Sequence, residues 1–231
     1  MTLSLADVRD QIVSCHRCER LRTYCQRIAI EKKAAHRDYT YWGKPVPGFG
    51  DPNARVLILG LAPAAHGANR TGRVFTGDGA GGSGDFLMRA LHRNGFASVP
   101  YSRDPSDGLT LDDAYIAAAV RCAPPDNKPA PLEIAACQDH LAAEIDALPR
   151  IQVVVALGKI AFDAYWQLLA RRGMVIRPRP PFGHGSVCKY AGIPIVIASY
   201  HPSRQNTNTG KLTPRMLESV FRKAKKTLGP G

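Results

Sequence analysis

Arg55-Val56-Leu57-Ile58-Leu59-Gly60 is the stretch on which the fold turns. Its aliphatic run has no polar alternate, so it does not read as a strand wetted on one face. It is also too short for a core helix, and its branched side chains suit a strand covered on both sides. Three further runs share this character: Ala114–Val120, Gln152–Leu157 and Ile193–Ser199. Helical periodicity lies between them. Phe86, Leu87, Ala90 and Leu91 form one stripe, closed by Asn94-Gly95; Ile134, Cys137, Leu141, Ile145 and Leu148 form a second. Ile160, Ala164, Tyr165 and Leu168 form a third, ending at Arg172-Gly173. Strands alternating with helices imply βαβ units, and hence a three-layer α/β/α domain around a four-stranded parallel sheet.

Outward from this centre, Ser4 caps an expected first helix carrying Leu5, Val8 and Ile12. Thr213-Pro214 opens a last helix with Leu217, Val220, Phe221, Ala224 and Leu228 inward, stopped by Gly229. Arg222, Lys223, Lys225 and Lys226 on its other side read as a solvated face. Residues Arg20–Asp51 are basic and turn-rich, an excursion anchored by Tyr39, Tyr41, Trp42 and Phe49. No internal repeat interrupts the pattern, and residues 1–231 read as one domain.

With 31 Lys and Arg against 19 Asp and Glu, the formal net charge is +12. That imbalance suits a partner bearing many phosphates, because each neutralised phosphate releases counterions. Charge alone does not separate DNA from RNA. No apolar run is long enough to span a bilayer and no early stretch reads as a signal peptide, so a soluble, cytoplasmic protein is expected. In a reducing compartment its six cysteines serve as buried thiols or metal ligands rather than disulfides.

In an open parallel sheet, ligands bind beyond the carboxyl ends of the strands. The segments leaving those ends are 61–78, 121–128, Gly158 onward and 200–211, three of them rich in Pro, Gly, Asn, His and Arg. The first begins Gly60-Leu61-Ala62-Pro63-Ala64-Ala65-His66-Gly67 and ends Phe75-Thr76-Gly77-Asp78. Small residues there let backbone approach a flat ligand, though the dinucleotide Gly-x-Gly-x-x-Gly spacing is absent. Phe75 suits either stacking on a base or the core. Asp78, the loop's carboxylate, suits either orienting a water or capping the next helix. The last segment, Tyr200-His201-Pro202-Ser203-Arg204-Gln205-Asn206, offers His201 to a polar ring. Ser203 lacks a Gly-x-Ser-x-Gly elbow and is not read as a nucleophile. Cys15-x-x-Cys18 with the distant Cys122 and Cys137 has the form of a zinc or iron–sulfur site; Cys25 and Cys188 are read as bystanders.

Taken together, these motifs resemble the uracil-DNA glycosylase superfamily, specifically its iron–sulfur family five (UDGb). Cys15-x-x-Cys18, Pro47-Gly48-Phe49-Gly50-Asp51, the 60–67 motif, Asn69-Arg70-Thr71-Gly72 and Phe75-Thr76-Gly77-Asp78 carry the resemblance. So do Arg121-Cys122-Ala123-Pro124-Pro125, Asn127-Lys128-Pro129 and His201-Pro202-Ser203 with Asn206. The resemblance implies a structural 4Fe-4S cluster on Cys15, Cys18, Cys122 and Cys137. It also implies a monofunctional, monomeric enzyme that flips uracil, or another deaminated base such as hypoxanthine, out of double- or single-stranded DNA and cleaves its N-glycosidic bond. Asp78 and His201 would be catalytic, while Leu61, Ala62, Ala64, Phe75 and Asn127 would surround the base. Asn69, Arg70, Ser203, Arg204, Asn206 and Lys211 would contact DNA, with no apolar wedge before Leu212. The host would be of prokaryotic type, with the enzyme at the nucleoid. The sister iron–sulfur family has Glu where Leu61 stands and a base-reading Asn where Ala118 stands, so a more apolar, permissive pocket is expected. Two other readings remain beside this one. One is a non-catalytic iron–sulfur or zinc protein of the same fold that senses DNA damage; the other is a zinc-stabilised enzyme acting on small molecules.

Overall fold

The computed structural model describes residues 3–77, 79 and 81–228. One sheet is built from β1 (Phe49–Gly50), β2 (Val56–Gly60), β3 (Ala114–Ala118), β4 (Val153–Leu157), β5 (Val187–Cys188) and β6 (Ile195–Ser199), in the order β1-β3-β2-β4-β6-β5. The four central strands are the four expected runs, all mutually parallel. The two-residue edge strands β1 and β5 are antiparallel additions. Strands this short leave no hydrophobic run for a sequence pattern to detect. Beyond β3, Ala119 and Val120 still donate backbone hydrogen bonds to Gly60 and Leu61, carrying the register into the loops above the sheet.

Period-two geometry divides the aliphatic side chains between two cores. Val56, Ile58, Ile116, Val155 and Ile197 face α4 (Ser83–Arg93) and α8 (Pro214–Leu228), whose Leu87, Leu91, Leu217 and Phe221 complete one layer. Leu57, Leu59, Ala117, Val154 and Val196 face the other way, towards α5 (Pro131–Asp146) and α6 (Lys159–Arg171). Burial on both sides is what the unbroken aliphatic runs require. α1 (Leu5–Val13) starts at Ser4 with a full capping box and packs on α5. Two short helices, α3 (Ala68–Thr71) and α7 (Arg204–Asn208), lie within the loops that follow β2 and β6. On α8, Lys223 and Lys225 donate to the carbonyls of Gly185 and Asn94, in keeping with a surface face. Gly229, the expected stop of that helix, lies outside the described residues.

The excursion expected over Arg20–Asp51 is corrected in its first half. Glu19–Glu31 is a helix, α2, with Leu21, Cys25 and Ile28 buried. Their spacing is helical, but the intervening Arg22, Thr23, Gln26 and Arg27 mask it. α2 is tied down across the chain: Arg20 makes a two-pronged bond to Glu133, at 2.8 and 2.7 Å, and Arg17 reaches Asp139 at 2.9 Å.

Deeper in, Arg121 and Glu144 form a pair with 1 and 2% of their side-chain surfaces exposed, at 2.7 Å. Glu144 also accepts from the Gly48 amide at 2.8 Å and the Tyr115 hydroxyl at 3.3 Å. Removing one member of such a pair leaves a buried charge uncompensated. Glu144→Ala is therefore expected to cost on the order of 3–5 kcal/mol of stability, read from denaturant unfolding. A loss below about 1 kcal/mol would show the pair to be dispensable.

Candidate active site

The loops leaving β2, β3 and β6 meet above the carboxyl ends of the sheet around one cavity of about 740 Å³. Of the residues expected around a base, Leu61, Ala62, Ala64, Phe75 and Asn127 all line it, as do His201, Ser203 and Arg204. Ala118, the last residue of β3, lies in its wall. Asp78, the expected carboxylate, lies outside the described residues.

Phe75 occupies a left-handed backbone conformation, φ +51°, which is costly for an aromatic residue. Its ring stacks on His201, with centroids 5.8 Å apart and planes 29° apart. Gly60 makes the contact possible: a Cβ at that position would stand 2.8 Å from the Phe75 ring. The ring is partly buried, packing on the core below while lining the cavity. The core contact expected for it is present, and the ring also borders the cavity. Strained backbone at Asp126 (φ +54°) and Asn127 (φ +56°), at the neighbouring rim, fits the same pattern of stored local strain at a site.

His201 is held from behind. Asn206 donates its amide to the His201 carbonyl at 2.9 Å, while Ser203 caps α7 by accepting from the Asn206 amide nitrogen. Desolvation holds the His201 imidazole far below its usual range, at about 4. At neutral pH the ring is therefore uncharged, a donor at one nitrogen and an acceptor at the other.

Several polar residues expected at the surface turn inwards. Asn69 is fully buried and bonds the carbonyls of Cys25 and Ala65. Arg70, also buried, reaches the carbonyls of His66 and Gly77 at 3.0 Å each. These two residues brace the loop from inside, a geometry unsuited to contacting phosphate. Arg73, likewise buried, pairs with Asp107 at 2.7 Å and donates to Thr76 at 2.9 Å. Thr76 in turn meets Ser102 at 2.6 Å, so the segment just before residue 78 rests on a closed polar network. Lys211 remains exposed, over the Tyr200 ring at 5.0 Å.

Cys15, Cys18, Cys122 and Cys137 line a second, small cavity where α1, α2, β3 and α5 come together. Arg22, Arg121 and His140 line it too, and Arg22 Nε, Arg121 Nε and Nη1, and His140 Nε2 are buried without partners among the described residues. Cys25 lies next to Cys122 and bonds the Ala123 backbone, whereas Cys188 is remote on β5.

A family model described as the uracil DNA glycosylase superfamily matches residues 47–225. The chain belongs to that superfamily. It is 48% identical over 218 residues to a type-5 uracil-DNA glycosylase of Thermus thermophilus, covering 94% of this chain and 95% of the relative. With a type-5 uracil-DNA glycosylase of Mycobacterium tuberculosis it shares 46% over 227 residues, 98% of this chain and 82% of the relative. A type-4 uracil-DNA glycosylase of Archaeoglobus fulgidus is 28% identical over 209 residues, 87% of this chain and 82% of the relative. Similarity thus groups the chain with the type-5 glycosylases. No helix among the described residues is long and apolar enough to cross a membrane.

The cavity wall extends beyond the residues that the motifs mark. Tyr24, Lys33, His36, His66 and Gln205 also line the pocket. His66 belongs to the 60–67 motif, but nothing in a loop's sequence says which of its side chains turns inwards. The state of His201 is open to direct measurement. Its folded pKa lies below the free value of 6.5, so its contribution to stability is complete above pH 6.5 and is lost as pH falls towards 4. An NMR titration of the ring should give a midpoint near 4. A midpoint near 6.5 would mean the ring is solvated.

Proposed function

We propose that this chain is a monofunctional uracil-DNA glycosylase that flips a deaminated base from DNA into the cavity above the sheet and hydrolyses its N-glycosidic bond. The observation carrying the reading is the convergence of three strand-end loops on one pocket walled by Phe75 and His201, in a chain of this superfamily. Phe75 stacks on the extruded ring. As the bond to the sugar breaks, its electron pair leaves with the base and positive charge develops on the sugar. Neutral His201, preorganised and desolvated, donates to the base O2 and stabilises the developing anion without first having to lose solvent. Asp78 orients the water whose oxygen joins the sugar carbon or stabilises the sugar cation. Leu61, Ala62 and Ala64 offer backbone groups to the base, and Asn127 closes the rim.

Ser203, Arg204 and Lys211 are assigned to the DNA backbone, while Asn206 acts through His201. Leu61 and Ala118, replacing a carboxylate and an amide, leave a pocket open to hypoxanthine as well as uracil. The enzyme acts as a monomer on double- and single-stranded DNA, in the cytoplasm at the nucleoid.

The four cysteines line one small cavity, and the orphaned donors of Arg22, Arg121 and His140 around it suit an anionic thiolate-bound group between them. Cys15, Cys18, Cys122 and Cys137 would hold a 4Fe-4S cluster whose contribution is to fasten α1 and α2 to the sheet.

Two measurements test the proposal. On uracil-containing duplex, Asp78→Asn and His201→Ala are each expected to slow single-turnover release at least about 100-fold, the scale of losing one preorganised group. Full rates in both would overturn the assigned roles. Purified protein should carry acid-labile sulfide with broad visible absorption, and stoichiometric zinc without sulfide would refute the cluster.

A further inference from the structure

His66, on the β2 loop, lines the same pocket as His201, on the β6 loop. Its Nδ1 is 3.1 Å from the hydroxyl of Tyr41, a buried residue. The Tyr41 oxygen also receives the backbone N–H of Lys33, at a long 3.4 Å. If the hydroxyl accepted from both neighbours, its own O–H, on a residue only 8% exposed, would have no acceptor among the described residues, which buried polar groups avoid. The hydroxyl therefore donates to Nδ1, and the neutral ring carries its proton on Nε2. Burial, with Lys33 and Arg70 nearby, lowers the His66 pKa and favours that neutral form. Nε2 has no partner among the described residues. Arg70 fixes the backbone beneath by donating to the His66 carbonyl at 3.0 Å.

We propose that His66 is a specificity-determining residue: its Nε2–H, locked as a donor by Tyr41, reads the carbonyl that deamination creates on the flipped base, O4 of uracil or O6 of hypoxanthine. Cytosine and adenine present an amino group at that position. A donor facing a donor in a desolvated pocket leaves both unsatisfied, and sites built around a hydrogen bond reject such analogues strongly. The proposal rests on the glycosylase reading above and supplies what that reading lacks. With Ala118 in the wall, no amide from β3 reads the base. The lock also explains why the donor is one-sided. An Asn can present oxygen or nitrogen by turning over, but an imidazole whose Nδ1 is engaged cannot.

The test pairs the residue with the substrate atom. Single-turnover release is measured from duplexes carrying uracil or pyrimidin-2-one, which lacks O4. His66→Ala is expected to slow uracil release about 10- to 100-fold, the worth of one buried hydrogen bond. Release of pyrimidin-2-one should stay at the wild-type rate. His66→Gln, which retains an N–H donor, should recover part of the uracil rate. In histidine-15N spectra of the wild type, the His66 ring should show Nδ1 bare and Nε2 protonated, and Tyr41→Phe should mix the two tautomers. Equal losses on both substrates, no loss on uracil, or a proton on Nδ1 in the wild type would each overturn the proposal. Thermal unfolding of each variant separates misfolding from loss of contact. If wild-type protein released neither base, the glycosylase reading itself would fall.

Discussion

Arg121 and Glu144 meet where water cannot reach them, and much of the molecule's upper half is arranged around that meeting. Arg121 follows β3 directly, and Glu144 lies on α5. The Arg121 carbonyl accepts from Val46 at 2.7 Å and Glu144 accepts from Gly48, so the chain entering β1 is sewn to the same pair. An ion pair in this setting carries a desolvation cost that its attraction barely offsets. Its effect is a constraint on geometry, because any slip of α5 along the sheet would strand a charge. Cys122 is adjacent to Arg121 and Cys137 lies two helical turns before Glu144. The register of the pair is thus also the register of the thiols.

The same constraint links the two cavities. α2 leans on α5 through Arg20 and Glu133, and its Cys25 carbonyl receives the buried amide of Asn69 from the base-pocket loop. The loop that presents Leu61, Ala62 and Ala64 is therefore supported partly by the N-terminal helices, which Arg17 and Arg20 in turn tie to α5. The pocket's shape is a property of the whole upper layer rather than of its own loops.

The sheet is legible in the sequence because burial on two faces demands aliphatic runs, and such runs have few other uses. The position of the pocket is legible too, since a parallel sheet can present loops only at its strand ends. Helix α2 is not: Leu21, Cys25 and Ile28 mark a stripe too narrow to rise above the arginines around it. Asn69, Arg70 and Asn206 are hidden for a different reason. In a loop without periodicity, a polar side chain gives no sign of whether it meets solvent, DNA or a backbone carbonyl. The pairing of Tyr41 with His66 spans 25 positions and leaves no trace in spacing.

The clamps between α1–α2 and α5 bear on how the chain is made. Arg17 and Arg20 find their partners 113 to 122 residues later. At a synthesis rate of about 5–20 residues per second, the N-terminal segment waits on the order of ten seconds before α5 has been polymerised. During that interval it emerges basic, with two of its thiols in place and two yet to come. The set of four is complete only once residue 137 has been polymerised. The first helices to leave the ribosome cannot dock on α5 until more than half of the chain has been made.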